Sequence, residues 1–104
     1  MVRMVIRMWR GWVARDNADA YQDYMNEVAL EGYAGVPGNC GVYMLRRPDG
    51  DREGFCMVTL WESYDAIAAF AGADPERAVF YPRDDEFLVE RETTARHYEV
   101  YNRV

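Results

Sequence analysis

The order of structural signals along these 104 residues predicts one α+β domain, βαββαβ, in which a four-stranded antiparallel sheet carries both helices on one face. Three observations carry that expectation. Two apolar, strand-like runs flank Pro48-Asp49-Gly50-Asp51, which is strong hairpin punctuation. Two stretches of helical character each follow a capping residue and end at glycine. Half of the chain is hydrophobic, which suffices for one core over residues 1–104 and leaves no room for a second.

The elements follow in order. Met4 to Val13 is rich in β-branched residues, Met and Trp and has no helix signal, so it reads as the first strand. Asp16-Asn17 offers an N-cap. Tyr21, Tyr24, Met25 and Val28 then fall at i, i+3, i+4 and i+7, an apolar stripe on a helix running to about Glu31, with Gly32 and Gly35 stopping it. Pro37-Gly38 is a turn into the second strand, Gly41 to Leu45, and Phe55 to Trp61 forms the third. Ser63 caps a second helix, Tyr64 to Ala71, which ends at Gly72. Asp74-Pro75 restarts a short helical turn and Tyr81-Pro82 breaks it. Arg83 to Glu90 has room for another turn, and Thr93 to Val104 alternates as the last strand.

Composition narrows the partners. Eighteen acids against twelve basic residues, all arginine, give a formal charge of -6 spread through the chain, which disfavours nucleic acid and anionic membranes. No apolar run approaches the roughly 20 residues of a bilayer span. The first 13 residues are interrupted by Arg3, Arg7 and Arg10, so they read as neither signal peptide nor span, and a cytoplasmic protein is expected. Cys40 and Cys56 lack metal-type spacing, and the hairpin register separates them, so both are expected as buried free thiols.

The third strand, Phe55-Cys56-Met57-Val58 through Leu60-Trp61, is apolar on both faces, and the second nearly so. Helices cover only one face. A homodimer that packs a second copy against the other is the simplest cover.

Pro37-Gly38, Trp61-Glu62-Ser63 and Gly72-Ala73-Asp74-Pro75, in this order of elements, resemble the antibiotic-biosynthesis monooxygenase family of ferredoxin-like, dimeric α+β barrel proteins. The resemblance implies a pocket between sheet and helices, lined by strand one, both helices and the segment from Pro75 to Leu88. It also implies oxygenation without metal or flavin, since in members acting on polycyclic phenols the ionised substrate gives an electron to dioxygen itself. The family's Trp before the second helix is matched by Trp61. The Asn of quinone-forming members falls on Met57, and their helical Tyr falls near Ile67. Haem-degrading relatives use an Asn, a Trp and a His where this chain offers Trp9 or Arg10, Phe70, and Phe80 or Tyr81.

His97, the single histidine, stands two residues from Glu99 and so on the same strand face, a candidate general base beside Tyr81 and Trp9. Tyr21, Tyr24, Trp61, Phe70 and Phe80 are the candidate walls for a planar aromatic ligand. One histidine with scattered carboxylates makes no metal site. Arg7 and Arg10 point to opposite faces, one expected to pair with an acid across the dimer and the other to meet an anionic substrate, with a surface ion pair the commoner outcome for such residues. Asp84-Asp85-Glu86 reads as a solvated helix start. Three functions suit this pocket: a cofactor-independent oxygenase, a dimeric ligand-binding or stress protein without turnover, and an isomerase or cyclase.

Overall fold

The computed structural model describes residues 4–33, 35–72 and 74–104, with Leu30 described in backbone only; Arg3 of the expected first segment and Ala73 of the family-like turn lie outside the described residues. Strand β1 (Val5–Ala14) leads through a 3-10 turn into helix α1 (Ala18–Tyr33), and β2 (Asn39–Asp49) and β3 (Arg52–Trp61) form the hairpin. Helix α2 (Tyr64–Ala71), the short α3 (Asp84–Phe87), β4 (Leu88–Arg91) and β5 (Arg96–Glu99) complete the chain. All pairings are antiparallel and the order is β2-β3-β1-β4, with β5 also on β1.

The expected last strand is present as β5, which pairs with Val5 to Met8, and a strand that was not expected, β4, precedes it where a turn was read and pairs with Gly11 to Val13. A register shift at Trp12/Val13 ends the regular pairing of β4, and Glu92 between the two strands donates its backbone N–H to the Arg10 carbonyl. The sheet is counted as five-stranded for that reason, and the last strand is four residues where Thr93 to Val104 was expected.

Two-residue periodicity decides which side is covered. Glu53, Phe55, Met57, Thr59 and Trp61 of β3 are buried, and each intervening residue is partly exposed. On the buried face, Phe55 and Met57 join Tyr21, Tyr24 and Met25 of α1 in one core cluster, while Trp61 joins Val5 and Ile67 of α2 in another. Both helices thus lie on one face. The opposite face presents Ile6, Met8, Val58 and Leu60, together with Tyr43, Leu45 and Tyr98, which are half or more exposed. Cys40 is exposed and Cys56 half-buried on that uncovered face, so neither is the buried core thiol expected.

Local chemistry sets the corners. Ser63 accepts from the Ala66 amide at 3.2 Å, capping α2 as its sequence implied. Gly38, at φ 83°, sits where a Cβ would come within 2.4 Å of the Ala66 methyl, so this turn needs both the left-handed backbone and the missing side chain. The hairpin closes through Gly50-Asp51 with Gly50 at φ 63°, the positive angle that a Gly-first two-residue loop supplies. Asp74 opens the expected short turn: its carboxylate accepts from the Glu76 amide at 3.2 Å and its carbonyl from the Arg77 amide at 3.1 Å. Gly32 does not stop α1, which continues to Tyr33.

Candidate functional site

Two adjoining cavities lie on the helix-covered face. A groove of about 270 Å³ runs between α1 and β2 over Gln22, Asn26, Met44 and Phe55. A smaller cavity of about 30 Å³ is walled by Arg7, Tyr33, Phe70, Ala78, Tyr81 and Asp84. Trp9, Tyr21, Met25 and Met57 belong to both. The sequence places these four together for simple reasons. Trp9 stands opposite Met57 in the β1–β3 register, and Tyr21 and Met25 are one helical turn apart on α1. Trp9 is held by its indole N–H, which donates to the Glu92 carbonyl at 2.6 Å, and by Phe80, whose ring meets it edge-on at 6.1 Å.

The smaller cavity has a polar lining. Among the described residues the hydroxyl of Tyr21 and the Oδ1 of Asp84 are buried without a hydrogen-bond partner, and the buried hydroxyl of Tyr81 meets that of Tyr33. Asp84 is 3% exposed, and its other oxygen accepts from the Tyr81 amide at 2.7 Å. Burial pushes the Asp84 carboxyl above the usual carboxylate range, against the pull of that backbone amide and of Arg91. Burial likewise pushes the Tyr81 phenol up, with Tyr33 adding to it, and the Tyr21 phenol up, with Asp84 adding to it. Tyr81 reaches this position because α1 carries no side chain at Gly32, where a Cβ would lie 2.9 Å from the Tyr81 hydroxyl oxygen.

Arg7 brings a positive charge to the same cavity. Its guanidinium is buried and donates to the Pro75 and Arg77 carbonyls, the latter at 2.9 Å, and to His97 Nε2 at 3.0 Å. No carboxylate pairs with it among the described residues. Burial lowers the Arg7 pKa, and the guanidinium remains the charged form at neutral pH. As the acceptor of that bond, Nε2 is unprotonated, so the ring is neutral with its proton on Nδ1. Burial, then Arg7, holds the His97 pKa below its ordinary value, with Glu76 opposing.

The structure thus brings together Trp9, Tyr21, Phe70 and Tyr81 of the residues named from sequence. Tyr24 lies beside them, stacked on Phe87 at 5.7 Å with its hydroxyl accepting from the Arg83 amide at 3.0 Å. Phe80 is partly exposed and touches the site through Trp9. Trp61 is wholly buried in the second core cluster and does not wall the cavity; Phe70, whose ring is 5.1 Å away, and Tyr33 pack between them. His97 faces the helix side of the sheet opposite Arg7 and is bonded to it, but it walls neither of these two cavities.

Arg10 forms a surface ion pair with Glu92 at 3.0 Å, the commoner of the expected outcomes, because the break between β4 and β5 puts that carboxylate beside it. One expectation is corrected. Asp84 is not part of a solvated helix start; only Asp85 and Glu86 are exposed, and packing of the 81–84 turn against α1 carries Asp84 inward. No group of three His, Cys, Asp or Glu side chains is placed to hold a metal ion among the described residues, and none of their helices is long and apolar enough to cross a membrane.

The sequence profile of the family described as antibiotic biosynthesis monooxygenase matches residues 1–80, from β1 through α2 and the following turn. The chain belongs to that family. No curated protein sequence matches it. Among solved structures it is similar to a putative antibiotic biosynthesis monooxygenase from Nitrosomonas europaea, at 18% identity over 97% of this chain and 93% of that one, with a TM-score of 0.69. A haem-degrading protein from Mycobacterium tuberculosis is 22% identical over 97% and 98% of the two chains, with a TM-score of 0.66. SnoaB, a cofactor-independent oxygenase from Streptomyces nogalater, is 20% identical over 98% and 95%, with a TM-score of 0.59. These likenesses establish a shared ferredoxin-like α+β fold, and family membership alone implies monooxygenase-type chemistry in general terms.

Proposed function

We propose that this antibiotic biosynthesis monooxygenase family member is a cofactor-independent oxygenase for a small planar aromatic or polyketide-like molecule bound between sheet and helices, and that it works as a homodimer. The observation that carries the reading is the joined groove and cavity. Its shared walls, Trp9, Tyr21, Met25 and Met57, offer aromatic and thioether surface to a flat ring, and its far lining is polar and includes the Arg7 guanidinium.

The chemistry asks little of the protein. A phenol-type substrate bearing an activated CH2 loses a proton, and the resulting anion passes an electron to dioxygen. In the net reaction two C–H bonds break, a C=O forms from one oxygen atom, and the other oxygen leaves as water with the two hydrogens. The chain's part is to hold the ring, exclude water and favour the anion. Arg7, charged and without a carboxylate partner among the described residues, favours negative charge at the cavity wall. His97 and the Pro75 and Arg77 carbonyls fix its position. Trp9 supplies the ring face, and Tyr81 is a hydroxyl that moves or shares a proton.

Oxygen uptake with a panel of hydroquinones and anthrones tests this reading. Trp9→Ala is expected to lower uptake at least about tenfold, the loss of one large contact surface, while leaving the circular dichroism spectrum unchanged. Equal uptake by the variant and the parent would remove the groove from the mechanism.

One observation favours a binding protein without turnover. The only ring nitrogen of His97 seen to accept a bond is already used by Arg7, so the chain presents no free imidazole base to the cavity. Tight binding of the panel with no product in air would select that reading, and product formed equally under nitrogen would select an isomerase or cyclase.

The dimer rests on the uncovered sheet face. Tyr43, Leu45 and Tyr98 leave apolar surface in water that a second sheet would cover. Sedimentation at micromolar concentration is expected to give about twice the 12.1 kDa of the chain, with Leu45→Glu shifting it to the monomer. A parent that sediments as a monomer contradicts the dimer.

A further inference from the structure

We infer that Asp84, Tyr21 and Tyr81 together form a receiving site for a hydroxyl group of the ligand, so that the groove selects planar molecules bearing a free OH at one end. The inference rests on the reading of the groove as a ligand site, and it does not depend on turnover. Asp84 and Tyr81 lie beyond residue 80, where the family match ends.

Among the described residues two polar atoms, Asp84 Oδ1 and the Tyr21 phenolic oxygen, are buried without partners, the Tyr81 hydroxyl is buried beside that of Tyr33, and these residues wall one cavity of about 30 Å³. An unpaired buried polar group is costly, and two around one space are costlier still. The cavity has room for a single hydroxyl-sized group, and the adjoining groove, sharing Trp9, Tyr21, Met25 and Met57, has room for rings. The hydrogen-bonding inventory then selects the group. A carboxylate oxygen accepts, and two phenols donate. A hydroxyl has one hydrogen and two lone pairs, and it answers all three. A carbonyl or carboxylate would leave Asp84 facing a second acceptor. An ammonium would face the Arg7 guanidinium, which lines the same cavity. Water carries two hydrogens toward a single carboxylate oxygen and fits less completely.

The test is calorimetric titration under nitrogen with 2-naphthol and with 2-fluoronaphthalene, which has nearly the same shape and no hydrogen to donate. Wild type is expected to bind 2-naphthol at least about tenfold more tightly, the worth of a hydrogen bond to a charged group. Asp84→Asn turns a donor toward the cavity and is expected to reduce that preference to less than about threefold. Tyr81→Phe keeps the shape and is expected to weaken 2-naphthol severalfold while leaving 2-fluoronaphthalene unchanged, so the inference stays testable if one variant does not fold.

A wild type that binds both probes equally, or an Asp84→Asn variant that keeps the preference, overturns the hydroxyl site while the groove stands; the buried groups would then serve an enclosed water only. If neither probe binds wild type, the groove itself is not a ligand site and both readings fall. Failure of the oxygenase reading alone would appear differently, as normal selective binding with no oxygen consumed.

Discussion

Asp84→Asn is expected to raise the stability of the free protein at neutral pH by about 1–3 kcal/mol, and its melting temperature by several degrees. In the parent the carboxyl is buried, and one of its oxygens is unpaired. An amide would keep the bond from the Tyr81 amide through its oxygen and turn its NH2 toward the Tyr21 and Tyr81 hydroxyls, with no charge to desolvate. The pH dependence follows from the raised Asp84 pKa. Above the folded-state value the parent carries an ionised carboxylate that the fold disfavours. As pH falls through that value the folded group takes up its proton and the penalty shrinks, to vanish below the ordinary carboxyl range of the unfolded chain. The gap between variant and parent is therefore expected to be widest near pH 7–8 and to narrow towards pH 4. Melting curves across that range check it. A less stable variant, or a gap that does not change with pH, would show that Asp84 is satisfied in the folded chain. A substitution that stabilises the fold while abolishing hydroxyl selection is what a site maintained for binding predicts.

The second large effect belongs to Trp61. It is wholly buried between Val5, Ile67 and Phe70, and its indole N–H donates to the Thr59 hydroxyl at 2.8 Å. Trp61→Ala removes most of that cluster and is expected to cost about 3–5 kcal/mol, lowering the melting temperature by more than about 10 °C. Trp61→Phe should recover much of the packing while leaving Thr59 without its donor. The loss is in folding and not in ligand contact, because Trp61 walls neither cavity. Chemical denaturation reads it as a shifted midpoint at constant slope. A Trp61→Ala variant as stable as the parent would mean that α2 is not anchored to the sheet through this residue.

These two residues mark what could be seen in the chain and what could not. The corner at Trp61-Glu62-Ser63 was legible because it is local: a serine hydroxyl reaches an amide three residues on, and no other part of the protein is needed. The hairpin was legible for the same reason, carried by Gly50 and the runs on either side. Strand β4 was not. Leu88 to Arg91 is only four residues and directly follows a helical turn, and its pairing depends on a register shift opposite it in β1. Arg10 meets Glu92 at the surface through the break between β4 and β5.

The walls of the site were partly legible, since Trp9, Tyr21, Phe70 and Tyr81 lie on elements whose buried faces periodicity identifies. Asp84 was hidden by its neighbours. Three consecutive acids at a helix start have the pattern of a solvated face, and only the docking of the 81–84 turn on α1, with Tyr24 accepting from the Arg83 amide, turns the first of them inward. The signal that was present is the spacing of Asp84 three residues after Tyr81, which lets a carboxylate close the turn on the Tyr81 amide. His97 could be assigned to a strand but not to a face, because a one-residue shift exchanges the faces. Its pairing with Arg7 came from the β1–β5 register.

The claim at the centre of this account is that the groove presents a planar hydroxylated molecule to dioxygen with no added cofactor. The direct measurement is the stoichiometry of anthrone oxidation by the purified protein, followed with an oxygen electrode and by product absorbance, in parallel under air and nitrogen. One dioxygen is expected to be consumed per quinone formed in air, with no quinone under nitrogen. Quinone formation that continues without oxygen, or no oxygen uptake above the spontaneous rate in air, would contradict it.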